Sequence, residues 1–186
     1  MLDKIEMKML VTCILQKMCL RFLAVLIILP ALSIGASVKA DDGKKDDPAF
    51  LSVGAGYYDF NRRKETGGEF RVEYRSDKKF FVFKPFAAAS VTSTSQGFVG
   101  AGVLIDLYLG RRFVVTPSFA PHYYWGGNDK LDLGHALEFR SHLEVAYRFD
   151  NRSRLGLAIS HYSNASIGDT NPGTETATVY FSLPLQ

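Results

Sequence analysis

The sequence predicts an all-β protein, an eight-stranded antiparallel transmembrane β-barrel of the bacterial outer membrane that follows an N-terminal signal peptide. Three observations support this prediction. Segments of about ten residues alternate between apolar and polar side chains, as barrel strands do. Aromatic residues cluster at the ends of these segments. The chain also begins with a secretory leader, and the region after it contains no cysteine.

The first 40 residues predict a signal peptide that is cleaved after Ala40. A basic flank precedes the apolar run 22–29, and small residues lead to the cleavage site. The alternative is an uncleaved membrane anchor, which needs a longer apolar run, and Pro30 interrupts this one. The start of translation is left open between Met1 and Met18, because the segment before the apolar run is long for a leader.

Removal of the leader changes the composition of the chain. The leader contains both cysteines, Cys13 and Cys19, so the predicted mature chain has no disulfide and no thiolate metal ligand. It also contains five of the 22 basic and two of the 19 acidic residues, which leaves 17 of each. The net charge of +3 for the whole chain therefore gives no reason to expect nucleic-acid binding.

The mature chain divides into a short N-terminal periplasmic segment, 41–49, and a barrel, 50–186. Period-2 alternation predicts eight strands, at 50–60, 69–75, 80–95, 98–109, 112–125, 137–149, 154–164 and 174–184. Pro85, Pro117 and Pro121 lie inside these strands and cannot donate a ladder hydrogen bond, so we expect bulges at the prolines.

The strand at 137–149 shows the two faces most clearly. Its odd-numbered positions are mostly apolar, whereas Glu138, Arg140, His142 and Glu144 occupy the even-numbered ones. A face that carries balanced charge on a strand suits the packed polar interior of a small barrel. Eight strands form the smallest common outer-membrane barrel, whose interior is filled by side chains, so a channel is not expected.

The histidines and charged loops do not predict a cofactor or metal site. His122 and His142 fall on inward faces among charged residues, where we expect interior hydrogen bonds, and His135 falls in a solvated loop. No phosphate-binding loop opens a helix, and no acidic loop has calcium-site spacing. The segment 58–70, "YDFNRRKETGGEF", is interpreted as a charged loop between the first two strands.

The last hairpin carries the candidate catalytic residues. In 154–164 the outward apolar face continues to His161 and Ser163, and in 174–184 the outward face includes Glu175. A lipid-facing basic residue costs ~2–4 kcal/mol at mid-membrane and less near the interface. Outward polar residues therefore favour a functional role or a position above the lipid.

These three residue types suit nucleophilic ester hydrolysis. Residues two apart on one strand lie about 6.5–7 Å apart, so His161 can reach the Ser163 hydroxyl, while the neighbouring strand brings Glu175 to the imidazole. That is the nucleophile, base and orienting acid of a serine hydrolase. Candidate oxyanion donors are Asn164, Asn171 and the loop 168–173. The alternative is a polar loop of turn-forming residues without catalysis.

The segment "HYSNASIGDTNPGTETATVYFSLPL", residues 161–185, resembles the C-terminal signature of the PagL-type lipid A 3-O-deacylase family, also called acyloxyacyl hydrolases. The resemblance implies an eight-stranded outer-membrane barrel with a catalytic triad on its outer surface. It implies the following roles: His161 is the base, Ser163 the nucleophile, Glu175 the orienting acid, Asn164 the oxyanion asparagine and Asn171 the second motif asparagine.

The expected function is therefore hydrolysis of the 3-O-linked (R)-3-hydroxyacyl ester of lipid A by an outer-membrane serine esterase without a cofactor. With both termini in the periplasm, the loop after the seventh strand faces the outer leaflet, where the expected partner, lipopolysaccharide, resides. The alternatives are an outer-membrane phospholipid esterase and a non-catalytic structural or adhesive barrel. A homodimer is compatible with the sequence.

Overall fold

A computed structural model describes residues 48–185. The predicted signal peptide, 1–40, and most of the predicted N-terminal segment lie outside the described residues. The strands are β1 (Phe50–Tyr58), β2 (Gly67–Arg75), β3 (Lys84–Thr92), β4 (Gly97–Leu104), β5 (Leu107–Leu109), β6 (Phe113–Trp125), β7 (Leu137–Arg148), β8 (Arg154–Ser163) and β9 (Thr174–Pro184). In the part of the chain described here, no helix is long and apolar enough to span a membrane.

The nine segments form eight barrel strands. β4 and β5 are two parts of one strand, since both pair with β6 in one register, with Leu104 opposite Ser118 and Leu107 opposite Val115. β1 pairs with both β2 and β9, which closes the sheet, and all pairings are antiparallel. The predicted eight-stranded antiparallel barrel is confirmed.

The prediction of bulges at the three prolines is wrong. The β6–β7 register runs without interruption through Pro117, opposite Leu143, and Pro121, opposite Phe139. The register at Pro85 is likewise unbroken. Pro117 has no N–H to donate, and the neighbouring strand is interrupted opposite it, between β4 and β5. The Ile105 N–H at this interruption still donates to the Pro117 carbonyl at 3.1 Å.

The barrel interior is filled by charged side chains in ion pairs. The even-numbered face of β7 is buried as predicted. Arg75 Nη2 donates to Glu144 Oε2 at 2.6 Å, and Arg75 Nε donates to Glu73 Oε1 at 2.9 Å. Arg140 also contacts Glu73, at 3.4 Å. Burial of a charge is costly unless it is paired, so the balanced composition of these faces is what allows them to pack together.

The exterior carries an exposed apolar surface with aromatic residues near the strand ends. Leu157 and Ile159 on β8 are 68% and 57% exposed, and Tyr123 and Trp125 lie at the end of β6. An outward apolar band with aromatic ends is what a lipid bilayer stabilises in a barrel. The alternation of apolar and polar residues therefore places the apolar face of each strand on the outside of the barrel.

One end of the barrel is closed by a buried cluster rich in aromatic residues. The cluster consists of Tyr58, Phe98, Tyr124, Leu131, Leu133 and Tyr162. Leu131 and Leu133 belong to loop 3 (126–136), which connects β6 and β7. Loop 1 (59–66) and loop 4 (164–173) lie at the same end, since they join β1 to β2 and β8 to β9. These three loops surround the candidate site.

Candidate active site

The β8–β9 pairing brings His161 and Glu175 together. The two residues are directly opposite each other in the register. His161 follows the exposed Leu157 and Ile159 on the outer face of β8, at its loop end. The distance from His161 Nδ1 to Glu175 Oε1 is 3.1 Å, and the side chains are 26% and 10% exposed. This pair is therefore sheltered but accessible from outside the barrel.

The contact determines which imidazole nitrogen is free for chemistry. A carboxylate accepts a hydrogen bond from the nitrogen that carries the proton, so Glu175 favours the tautomer protonated at Nδ1. Nε2 is then left with its lone pair, as a general base requires. The pair thus has the orientation of the base and acid in a hydrolase triad.

Ser163 lies two residues beyond His161 on the same outer face of β8. It is half-buried and pairs in register with Phe139 of β7. Among residues 48–185, His161 forms its side-chain hydrogen bond with Glu175. A hydrogen bond between Nε2 and the Ser163 hydroxyl is not among the contacts of residues 48–185, and catalytic hydrogen bonds commonly tighten only when substrate binds.

Asn164 occupies a structural position between two loops. Its side chain is fully buried, and Nδ2 donates to the carbonyls of Leu133 at 2.9 Å and Thr170 at 2.7 Å. Oδ1 accepts from the Ser166 N–H at 2.9 Å. Both amide hydrogens are therefore engaged, and the side chain joins loops 3 and 4. This geometry gives the side chain a role in supporting the loop, and the expected donation from Asn164 to an oxyanion stays a prediction.

Asn171 has more freedom to donate. Its Oδ1 accepts from the Asn164 N–H at 3.2 Å, while Nδ2 makes a long contact of 3.5 Å with Ser166 Oγ. The residue is half-buried in loop 4. A weakly engaged Nδ2 group at the edge of the site can turn toward a reacting oxygen at low cost.

Arg62 reaches the site from loop 1, and sequence reasoning missed it. Its Nε lies 3.6 Å from Glu175 Oε2, on the carboxylate oxygen that His161 does not use. The sequence identifies this segment only as a charged loop. The feature that could have revealed the contact is closure of the barrel. Closure pairs the end of β1 with the start of β9, with Tyr58 opposite Thr176, and so brings loop 1 next to Glu175.

The interior histidines lie away from this site, as expected. His122 Nε2 accepts from Arg71 Nη2 at 2.8 Å, and His142 Nδ1 accepts from Arg140 Nη2 at 2.6 Å. His135 of loop 3 is half-buried, and its Nδ1 accepts from the Leu137 N–H at 3.0 Å. Within residues 48–185, no group of three or more metal-ligating side chains is placed to hold a metal ion.

An apolar groove on the barrel exterior begins beside the histidine–glutamate pair. Its volume is about 450 Å³, and its lining residues are Leu143, Val145, Leu157, Ala158, Ile159, Ala177, Thr178 and Val179. Ile159 precedes His161 by two positions on β8, and Ala177 follows Glu175 by two on β9. Ala177 is one of two alanines among these lining residues. The groove is thus an open, largely apolar depression on the outer surface.

Comparison with known sequences connects this geometry to a family of lipid-modifying enzymes. Residues 80–184 match the sequence model of the lipid A 3-O-deacylase (PagL) family. Lipid A deacylase PagL of Pseudomonas aeruginosa is 24% identical over 131 residues, which cover 70% of this chain and 62% of that protein. Lipid A deacylase PagL of Bordetella bronchiseptica is 30% identical over 87 residues, which cover 47% and 44%. The matches thus span less than two thirds of these curated relatives.

Comparison with solved structures supports the fold. The crystal structure of the outer membrane enzyme PagL has a TM-score of 0.58 at 16% identity and covers 73% of this chain and 99% of that chain. Neisserial surface protein A has a TM-score of 0.51 at 8% identity, with coverage of 77% and 100%. A designed transmembrane β-barrel has a TM-score of 0.52 at 11% identity, with coverage of 75% and 98%. The family match includes His161, Ser163, Asn164, Asn171 and Glu175, whereas loop 1 lies before it.

Proposed function

The chain belongs to the lipid A 3-O-deacylase (PagL) family, and from this premise we propose that it is a serine esterase that hydrolyses the 3-O-linked (R)-3-hydroxyacyl ester of lipid A. It is an outer-membrane β-barrel, as its fold and family indicate. The observation that carries the proposal is the His161–Glu175 pair, 3.1 Å apart on the outer face of the barrel and beside Ser163.

The first half of the proposed reaction transfers the acyl group to Ser163. His161 Nε2 removes the hydroxyl proton while Ser163 Oγ attacks the ester carbonyl, which gives a tetrahedral oxyanion. The intermediate collapses, the bond to the glucosamine O3 breaks, and His161 returns its proton to that oxygen. The products of this half are a 3-hydroxyacyl serine and lipid A with a free 3-hydroxyl group.

The second half uses water. His161 removes a proton from water as the water oxygen attacks the acyl carbon, and the second tetrahedral intermediate releases Ser163 with the proton from His161. A 3-hydroxy fatty acid leaves. Glu175 stays ionised throughout and stabilises the imidazolium that forms twice in each cycle.

Asn171 is the side chain best suited to stabilise the oxyanion. Its Nδ2 group is weakly held, in contrast to the fully engaged amide of Asn164. A preorganised donor aimed at the developing charge contributes a factor of about 10²–10³ in rate. Asn164 contributes indirectly, since its backbone N–H donates to the side-chain Oδ1 of Asn171 and so helps to orient that side chain.

The exterior groove explains how a membrane lipid can reach the site. An acyl chain that lies in the groove remains in contact with apolar side chains, while its ester meets Ser163 near the strand ends. With both termini in the periplasm, loop 4 faces the outer leaflet, where lipopolysaccharide resides. Pairing of two barrels into a homodimer stays a prediction that crosslinking in membranes can check.

Lipid analysis tests the proposal. Purified protein in detergent is incubated separately with lipopolysaccharide and with phospholipid, and the lipids are examined by mass spectrometry. We expect loss of one 3-hydroxyacyl chain from lipid A by the wild-type protein and no loss with Ser163→Ala. Hydrolysis of phospholipid alone would identify the phospholipid esterase instead. No change in either lipid would leave a structural barrel and refute the catalytic proposal.

A further inference from the structure

Loop 1 supplies a further positioning residue to the site. Resting on the function proposed above, we propose that Arg62 holds the Glu175 carboxylate in place and so acts on catalysis through Glu175 and His161. Arg62 lies outside the segment that matches the family and comes from the opposite end of the described chain. Three independent sets of contacts support this role.

The first set fixes the conformation of loop 1. Asp59 is fully buried, and its Oδ2 accepts hydrogen bonds from the backbone N–H groups of Lys64 at 2.6 Å and Glu65 at 2.9 Å. Its Oδ1 accepts from Thr174 Oγ1 at 3.2 Å. A buried carboxylate with three donors holds its surroundings firmly. Loop 1 is therefore fastened to the residue that precedes Glu175.

The second set attaches loop 1 to the backbone of Glu175 itself. The Phe60 N–H donates to the Glu175 carbonyl at 3.4 Å, just beyond the last β1–β9 pair, Tyr58 and Thr176. Arg62 follows two residues later. Its guanidinium thus approaches the Glu175 side chain from a backbone that is anchored on the same strand.

The third set concerns the carboxylate oxygens. Glu175 Oε1 contacts His161, whereas the buried Oε2 accepts no close hydrogen bond within residues 48–185, and the Asn61 side chain of loop 1 is a weaker polar neighbour of the same carboxylate. The positively charged group nearest to Oε2 is the Arg62 guanidinium, whose Nε lies 3.6 Å away, and the Arg62 side chain is 23% exposed. Because a partly buried carboxylate is destabilised by lost hydration, a cation on its second oxygen favours the ionised form and limits its rotation.

Gly173 provides the space for this arrangement. A Cβ atom at Gly173 would lie 3.3 Å from Arg62 Nη2 and 3.3 Å from His161 Cε1. The residue also has φ of +62°, a conformation that glycine adopts at little cost. Loop 4 therefore leaves room for the arginine and the imidazole to approach the same carboxylate from two sides.

A double-mutant cycle tests whether Arg62 acts through Glu175. Arg62→Gln is expected to lower kcat for lipid A about 10-fold, which corresponds to about 1.4 kcal/mol, with KM nearly unchanged. Arg62→Lys is expected to recover part of the loss. In a Glu175→Ala background, Arg62→Gln should lower the residual rate no further, because the group it acts on is gone. The matched control is Arg63→Gln, which removes one charge from an exposed position of the same loop.

Two kinetic results would overturn the proposal. One is an equal loss from Arg62→Gln in both backgrounds. The other is a rise in KM with unchanged kcat, which would make Arg62 a substrate-binding group. Unchanged heat-modifiable gel mobility of each variant shows that the barrel is folded.

A measurement that does not need turnover separates this proposal from the proposed function. Nitrogen NMR of histidine-labelled protein in detergent reports the tautomer of His161. We expect the form protonated at Nδ1 in the wild-type protein and in Arg63→Gln, and a reduced fraction of it in Arg62→Gln. If lipid A is not hydrolysed but this difference is seen, only the proposed function fails. If Arg62→Gln leaves the His161 signal unchanged, the positioning role is refuted.

Discussion

Replacement of Asn164 by alanine distinguishes loop support from oxyanion binding by the Asn164 side chain. The substitution removes three hydrogen bonds, to the carbonyls of Leu133 and Thr170 and from the Ser166 N–H. Leu133 is fully buried, so its carbonyl loses its partner without replacement by water, at a cost of about 1–3 kcal/mol. Thr170 and Ser166 are exposed, and water can compensate there, which leaves a cost of about 0.5–1.5 kcal/mol each.

The total loss of stabilising free energy is on the order of 2–6 kcal/mol, and it destabilises the two loops and not the barrel strands. Loop 3 and loop 4 share the Asn164 side chain, so their local stabilities are expected to fall together. Hydrogen exchange followed by mass spectrometry should show faster exchange in 126–136 and 164–173 with unchanged exchange in the strands. The kcat for lipid A should fall as the order of loop 4 is lost.

The matched comparison is Asn171→Ala. It removes the proposed oxyanion donor and is expected to lower kcat by about 10²–10³, with little change in exchange of loop 3. The reasoning is refuted if Asn164→Ala leaves exchange in both loops unchanged and still lowers kcat about 100-fold. In that case Asn164 would contact the reacting oxygen directly.

Two further predictions concern the groove and the barrel interior. Ala177→Trp should fill part of the groove and exclude about two methylene groups of a long acyl chain, whose burial contributes about 1.6 kcal/mol. In a micellar assay, kcat/KM should therefore fall about 10-fold for long-chain esters and little for short-chain ones. An equal loss for both would contradict a role of the groove in chain binding. Glu144→Gln weakens the buried ion pair with Arg75 and should lower the free energy of unfolding by about 3 kcal/mol, measured by urea unfolding in detergent. The control, Asp150→Asn, changes an exposed ion pair and should have no measurable effect. Equal urea midpoints for the two variants would contradict a stabilising role of the interior ion pairs.

The faces of the strands could be predicted because they are a local property of the backbone. Successive side chains on a strand point to opposite sides, so the charged and apolar positions of 137–149 determine which side is buried. The same parity predicted that His161 and Glu175 share the outer face, and the register confirms that they are opposite each other. The bulges expected at the prolines were wrong because the partner strand accommodates the missing donor. That choice depends on β4 and β5, which are not visible from the residues around Pro117.

The sequence by itself determined the barrel, its two faces and the hairpin that carries the candidate triad, because each follows from spacing within a strand or between adjacent strands. Only the tertiary structure decided the places of Arg62 and Asn164. Arg62 meets Glu175 because closure of the barrel pairs the first strand with the last, a contact without any local signal. Asn164 donates to the Leu133 carbonyl because loops 3 and 4 pack over the same end of the barrel, a contact between loops that the motif does not reveal.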